Sequence, residues 1–176
     1  MGEEATLIRL REAGIPREAI ATTLAKEKRM DLREYIQNKA YDTKPIASVV
    51  GLDRLPFYLT AKEMALSGFR VYCCELVDIH TALFSERDEA DQIAATIEDA
   101  QVIAISGFYE QEGNVAPFLN PYESAYFRSW FMRKVNAGVK VILQVEMDVA
   151  FAGTWYSGAL LHFIGKHCAE FGKVAK

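Results

Sequence analysis

The apolar positions of this chain follow two rhythms. Near the N-terminus, Leu7, Ile8 and Leu10 lie among Arg9, Arg11 and Glu12, which predicts a short amphipathic helix over Glu3–Ala13, stopped by Gly14. Pro16 opens a second helix expected to run to about Lys28, with Ile20 and Leu24 on one face. Asp31 is placed to cap a third, LREYIQNKAY, whose Leu32, Tyr35 and Ile36 share a face, before a turn over Asp42–Pro45. From Ile46 the rhythm changes. Ile46–Val50 is a β-branched run ending at Gly51, as a buried strand does.

Strand and helix patterns then alternate. Phe57–Leu66 predicts a helix capped by Gly68, Phe69–Leu76 a strand, and Asp78–Phe84 a helix with Asp78 as its N-cap. Ser85–Glu98 is charged, with Ile93, Ala94 and Ile97 at helical spacing, and Val102–Ile105 is a continuous strand core. After a loop at Gly113–Pro121, Tyr122–Asn136 predicts a helix with Tyr126, Phe127, Trp130, Phe131 and Val135 inward. Gly138 ends it, Val139–Val145 is another buried strand, and Ser157–Phe171 reads as a final helix. Strands that are apolar throughout, separated by helices, imply an α/β fold with a parallel sheet covered on both faces. The expected organisation is a helical N-terminal arm, residues 1–42, followed by an α/β core, residues 43–176.

Bulk properties narrow the function. A chain of 176 residues is long enough for one full core, and its net charge of −4 argues against a strong, unaided nucleic-acid binder. Three cysteines, two of them adjacent as Cys73-Cys74, make no disulfide framework, and no C-x-x-C pair suggests zinc. His162 and His167 are five residues apart, a poor spacing for a shared metal on one helix, so no metal and no cofactor are expected. The charged N-terminus lacks a signal-type apolar segment and no apolar run approaches a membrane span, so a cytoplasmic protein without membrane contact is expected.

The most informative stretch is Gly51–Tyr58. A phosphate-binding loop has the spacing G-x-x-x-x-G-K-[ST], in which backbone N–H groups, a lysine and a hydroxyl handle the phosphates and Mg²⁺. Gly51 is in register, but Pro56 stands for the second glycine, Phe57 for the lysine and Tyr58 for the hydroxyl residue, with Arg54 inside the loop. Proline removes an N–H donor and phenylalanine carries no charge. The alternative is an unrelated strand-to-helix turn with Phe57 and Tyr58 in the core.

Other residues suggest contact surfaces. Tyr122, Tyr126, Phe127, Trp130 and Phe131 have the spacing of a core face, or of a base-stacking platform. Arg128, Arg133 and Lys134, with Lys140, offer either a solvated face or a contact for nucleic acid or an acidic partner. Trp155, with Tyr156 in a small-residue loop, is either a partner anchor or a core residue.

The order of these segments resembles the DnaC/DnaI-like helicase loaders of bacteria and phages, which are AAA+ ATPases. LREAGIPRE (10–18), LREYIQN (32–38), ALSGFRVYCCELVDIHTAL (65–83), EDAQVIAISGF (98–108) and the helix of 122–136 followed by GVKVILQV (138–145) carry the resemblance. It implies a three-layer P-loop NTPase-like (AAA+/RecA-like) parallel sheet. It also implies that Ser106 and Gly107 stand where the Walker B acids belong, that Gln144 to Glu146 covers the sensor position, and that no arginine finger lies between Val149 and Gly165. Since phosphoryl transfer is mostly positioning and charge neutralisation, ATP hydrolysis is not expected.

The leading expectation is therefore a catalytically inactive loader-like binding module in a DNA-replication assembly. Its partner would be a replicative helicase or an active loader ATPase, in a hetero- or homo-oligomer, with Arg9 and Arg11 in the partner-binding arm. A second expectation is an enzyme or ligand-binding protein whose pocket gathers Arg54, Ser106, Gln144 and Glu146 at the strand C-termini. A third is a single-stranded DNA binder using the basic helix.

Overall fold

The computed structural model describes residues 2–22, 46–50, 54–108, 120–145, 162–163 and 166–171. Two helices open the chain, α1 (Glu3–Glu12) and α2 (Arg17–Ala21). The core elements follow in the order β1 (Ile46–Val50), α3 (Leu55–Leu66), β2 (Val71–Glu75), α4 (Leu76–Phe84), α5 (Asp88–Asp99), β3 (Val102–Phe108), α6 (Pro121–Asn136), β4 (Lys140–Val145) and β5 (Cys168–Phe171). The strands form one sheet in the order β2-β3-β4-β1-β5, and all four pairings are parallel. The 46–50 strand is interior, paired to β4 on one side and β5 on the other.

The period of two along the strands assigns the two faces. Cys74, Ile103, Ile105, Val141 and Leu143 belong to the layer of α4, α5 and α6, whose core includes Ile79, Ile97, Phe127, Trp130 and Phe131. Val71, Cys73, Val102, Ala104 and Ile142 belong to the opposite layer. That layer contains Phe57, Leu59, Ala61, Met64 and Ala65 of α3, together with Leu10, Ala13, Ile15 and Ala19 of the N-terminal segment. The result is three layers with a sheet buried on both sides, which is why its central strands tolerate no alternation of polarity.

Residues 2–22 are packed into this fold. Ala13 O accepts a hydrogen bond from Cys73 N–H at 2.7 Å, so the α1–α2 turn covers the outer edge of β2. Arg9 donates to Ala65 O at 2.9 Å near the end of α3, and Lys62 Nζ donates to the carbonyls of Ala19, Ile20 and Thr22 at 3.2, 2.7 and 3.2 Å. Gly14 has φ +78°, and a Cβ there would lie 2.5 Å from Cys73 O. Only glycine lets the turn approach the strand this closely.

Several boundaries differ from the sequence-based expectation. The second helix ends at Ala21 with Thr22 extended, and the rest of its expected span, like the third helix, lies outside the described residues. Helix α3 begins at Leu55, before Phe57. Strand β2 is shorter than expected because Leu76 already starts α4; Glu75 is the N-cap, and Asp78 is the third helical residue of a reciprocal capping box. Helix α5 starts at Asp88, not Ser85, and β3 continues to Phe108. Asn120 caps α6 by accepting from Tyr122 N–H at 2.8 Å, leaving Pro121 in the first turn, where no N–H is needed. On α6, Phe127, Trp130 and Phe131 are buried as expected, whereas Tyr126 is 39 % exposed. The expected final helix is corrected at its C-terminal end: residues 162–163 and 166–167 are helical, but residues 168–171 are β5, paired to β1, because backbone pairing to an interior strand outweighs a weak helical pattern.

Candidate functional site at the C-terminal ends of the strands

Open parallel sheets place ligands beyond the carboxyl ends of their strands. Here the described part of that region is built by the start of α3, the ends of β2, β3 and β4, and the α1–α2 segment. Leu55 and Pro56 set the first turn of α3, and Arg54 is its N-cap residue. Phe57 is 1 % exposed within the α1–α3 side of the core, so its ring is a core side chain. Its neighbour Tyr58, edge-on to it at 5.2 Å, reaches β3: Tyr58 OH lies 3.4 Å from Ser106 Oγ. Ser106 donates to Cys74 O at 3.3 Å, which leaves its oxygen to accept from Tyr58.

The end of β3 is irregular. Between Ile105 and Phe108 the register against β4 slips, with Ile105 opposite Leu143 but Phe108 opposite Val145, so β3 carries one extra residue. Gly107 takes φ +74° in this bulge. Its N–H, turned out of the ladder, donates to Gln144 Oε1 at 3.1 Å, and Gln144 is fully buried. Ser106 and Gln144 thus each find a partner within the chain on the α3 face of the sheet, Ser106 with Tyr58 and Cys74 O, and Gln144 with the Gly107 amide. Buried polar groups demand such partners, and here the protein supplies them itself.

The cations described at the site, Arg54 and Lys62, are held within the chain. Arg54 Nη1 contacts Glu75 Oε1 at 3.0 Å. Glu75 also accepts from the Asp78 backbone N–H, while Asp78 Oδ2 accepts from Glu75 N–H at 2.8 Å. A cleft of about 320 Å³ beside α3 is lined by Pro16, Glu18, Ala19, Arg54, Leu55 and Tyr58. Among the described residues, Glu18, Glu75 and Asp78 stand in this region with the Arg54 guanidinium, and the Lys62 ammonium is held by the carbonyls of Ala19, Ile20 and Thr22 beside the cleft. The described end of β3 offers a serine and a glycine, and Phe57 has no ammonium group.

The remaining predicted residues are dispersed. Gly51, Glu146 and Trp155 lie outside the described residues, and Pro56 is described only as backbone of α3. Arg9 is bound to Ala65 O, whereas Arg11 is exposed. Lys134 is largely buried and paired with Glu98 of α5, which corrects its reading as a contact residue. Arg133 is exposed and Arg128 half-buried on the same helix, so α6 presents no single basic face. Lys140 belongs elsewhere, with its ammonium 5.7 Å from the centre of the Phe69 ring. Cys73 and Cys74 are buried; burial pushes the Cys73 thiol up to about 12 and the Cys74 thiol well above its usual value, so both are inert. The sequence reading missed Glu75, for which the E-x-x-D pattern after an apolar strand was the available signal, and Lys62, for which there was none.

The architecture itself matches solved proteins. A DnaI structure superposes with a TM-score of 0.61 at 8 % identity, covering 96 % of this chain and 98 % of that one. The chain shares the α/β P-loop NTPase-like fold of that structure. A DnaC helicase loader superposes with a TM-score of 0.53 at 10 % identity, over 86 % of this chain and 93 % of that one. A DNA replication initiation factor gives 0.57 at 12 % identity over 87 % of this chain, and this chain spans 48 % of that protein's length. No protein-family model and no curated protein sequence matches the chain.

Proposed function

We propose that this chain is a catalytically inactive, helicase-loader-like protein that acts as a binding module in a DNA-replication assembly. The observation that carries the reading is that Ser106 and Gln144 are already engaged within the chain, with Tyr58 and Cys74 O and with the Gly107 amide, where an ATPase needs groups free to hold metal and phosphate. Phe57, in the lysine position, supports it by being a core residue. The Glu75 carboxylate on the Arg54 guanidinium supports it further, because that cation already has an anion from the chain itself.

Its partner is a replicative helicase or an active loader. The outer face of α1 suits such a contact: Leu7 and Ile8 are 36 % and 49 % exposed, beside Arg11. Arg9 and Lys134 are engaged within the chain, which removes two of the cations a DNA-binding reading relied on.

Calorimetry with Mg²⁺–ATP tests the inactive core, and co-purification with the helicase of the same host tests the module. No heat of nucleotide binding, together with recovery of a helicase complex that Ile8→Asp abolishes, is the expected result. Turnover of ATP by the purified chain, lost on Gln144→Leu, refutes it. The cleft beside Arg54 favours a second reading, a small-ligand binder. A thermal shift with a metabolite, and no helicase complex, would decide for that one.

A further inference from the structure

Glu75 does more than cap a helix. Its carboxylate accepts the Asp78 amide at the start of α4 and also holds the Arg54 guanidinium at the start of α3. Guanidinium plus helix N-terminal amide is a donor set that proteins use for anions. Here the anion is covalently part of the chain. The pair joins residues 21 positions apart and ties two helix starts together across the ends of the sheet.

We infer that Glu75 is a built-in anion that fixes the start of α3 without any ligand, and that it keeps Arg54 closed to phosphate-bearing molecules. This rests on the reading of an inactive core and ties the described start of α3 to the start of α4. The groups around Arg54 agree with it. Glu18 lines the adjoining cleft and adds negative charge, while Asp78 is committed to the Glu75 amide. Glu75 is half exposed and Arg54 mostly covered, with side-chain exposures of 51 % and 22 %, so the pair acts on local order far more than on global stability.

The first protected amide of α3 reports on the clamp: Tyr58 N–H donates to Arg54 O at 3.1 Å. Amide hydrogen exchange is measured over residues 58–60 in the full chain, with and without inorganic pyrophosphate at constant ionic strength. In the parent protein pyrophosphate leaves exchange unchanged. In Glu75→Gln, which keeps an oxygen to accept the Asp78 amide, exchange speeds up by roughly three- to tenfold, the range set by a surface ion pair of about 1 kcal/mol. Pyrophosphate then slows it again, because an external anion takes the place of the Glu75 carboxylate on the guanidinium. A merely structural cap would give no such rescue. Unchanged exchange in Glu75→Gln, absent rescue, or protection of the parent by pyrophosphate each overturns the clamp. If Glu75→Gln does not fold, Arg54→Gln serves: it must speed exchange at Tyr58 and show no response to pyrophosphate, and unchanged exchange again overturns the inference. A parent that binds Mg²⁺–ATP but ignores pyrophosphate refutes the inactive core and leaves the clamp standing. A silent parent whose Glu75→Gln variant is not rescued refutes the clamp alone.

Discussion

Replacing Gly14 with alanine tests how the N-terminal segment is joined to the sheet. Gly14 follows α1 with φ +78°, and its built Cβ would meet Cys73 O at 2.5 Å and Cys73 C at 3.5 Å. The opposing atom is strand backbone, held in place by the bond from Cys73 N–H to Ala13 O, so it cannot move aside cheaply. Three terms enter. The left-handed conformation costs alanine about 1–2 kcal/mol. Displacing the turn forfeits the Cys73–Ala13 hydrogen bond, worth about 1 kcal/mol. The less flexible unfolded chain returns about 0.5–1 kcal/mol. The net loss is about 2 kcal/mol, which for a domain of this size lowers Tm by about 4–8 °C.

The protein contains its own control. Gly68 and Gly138 also end helices at φ +100° and +86°, but nothing lies within 4 Å of a Cβ at either. All three close with the same pair of bonds: Gly14, Gly68 and Gly138 N–H donate to Arg11, Ala65 and Val135, and the next residue's N–H donates to Leu10, Met64 and Lys134. Urea titration of the three alanine variants therefore separates backbone strain, common to all, from the collision unique to Gly14. Gly14→Ala should lose about 1 kcal/mol more than Gly68→Ala, at unchanged m-value. Equal losses at the three sites would refute the claim that the α1–α2 turn is sealed against β2.

Other consequences are measurable in the same way. Phe57→Ala empties a site that is 1 % exposed and should cost about 3–4 kcal/mol by chemical denaturation, whereas a ring lining an open nucleotide pocket would cost far less. Gln144→Leu removes the acceptor of Gly107 N–H at the buried bulge and should cost about 1–3 kcal/mol, most of it absent if water reaches that amide. Alkaline pH should destabilise the fold. Cys73 keeps its proton to about 12 when folded against a usual 9.0, and Tyr72 to about 12 against 10.0, both chiefly through burial. The unfolded chain therefore releases these protons first, and stability present below pH 9.0 is lost as pH rises toward about 12. Unfolding free energies across that range should fall by about 1.4 kcal/mol per pH unit for the buried Cys73 and by less for the partly exposed Tyr72, and Cys73→Ala should flatten the slope.

The sequence by itself determined the alternation of strands and helices, because burial on both faces writes itself into runs such as Val102–Ile105 and Val141–Leu143. It also determined where helices stop, since Gly14, Gly68 and Gly138 are legible from local backbone chemistry alone. The start of α4 was ambiguous: Glu75 and Asp78 are both acids in one capping box, and only the backbone shows which is the cap. The chemistry of the site was a tertiary matter. Tyr58 meets Ser106 48 positions away, Gly107 meets Gln144 37 away, and Arg54 meets Glu75 21 away. No local pattern encodes such pairs; they exist because the strand order brings the ends of β2, β3 and β4 under one helix. The same holds for β5, whose four residues carry too little period to outvote a helical context until β1 offers its unpaired edge.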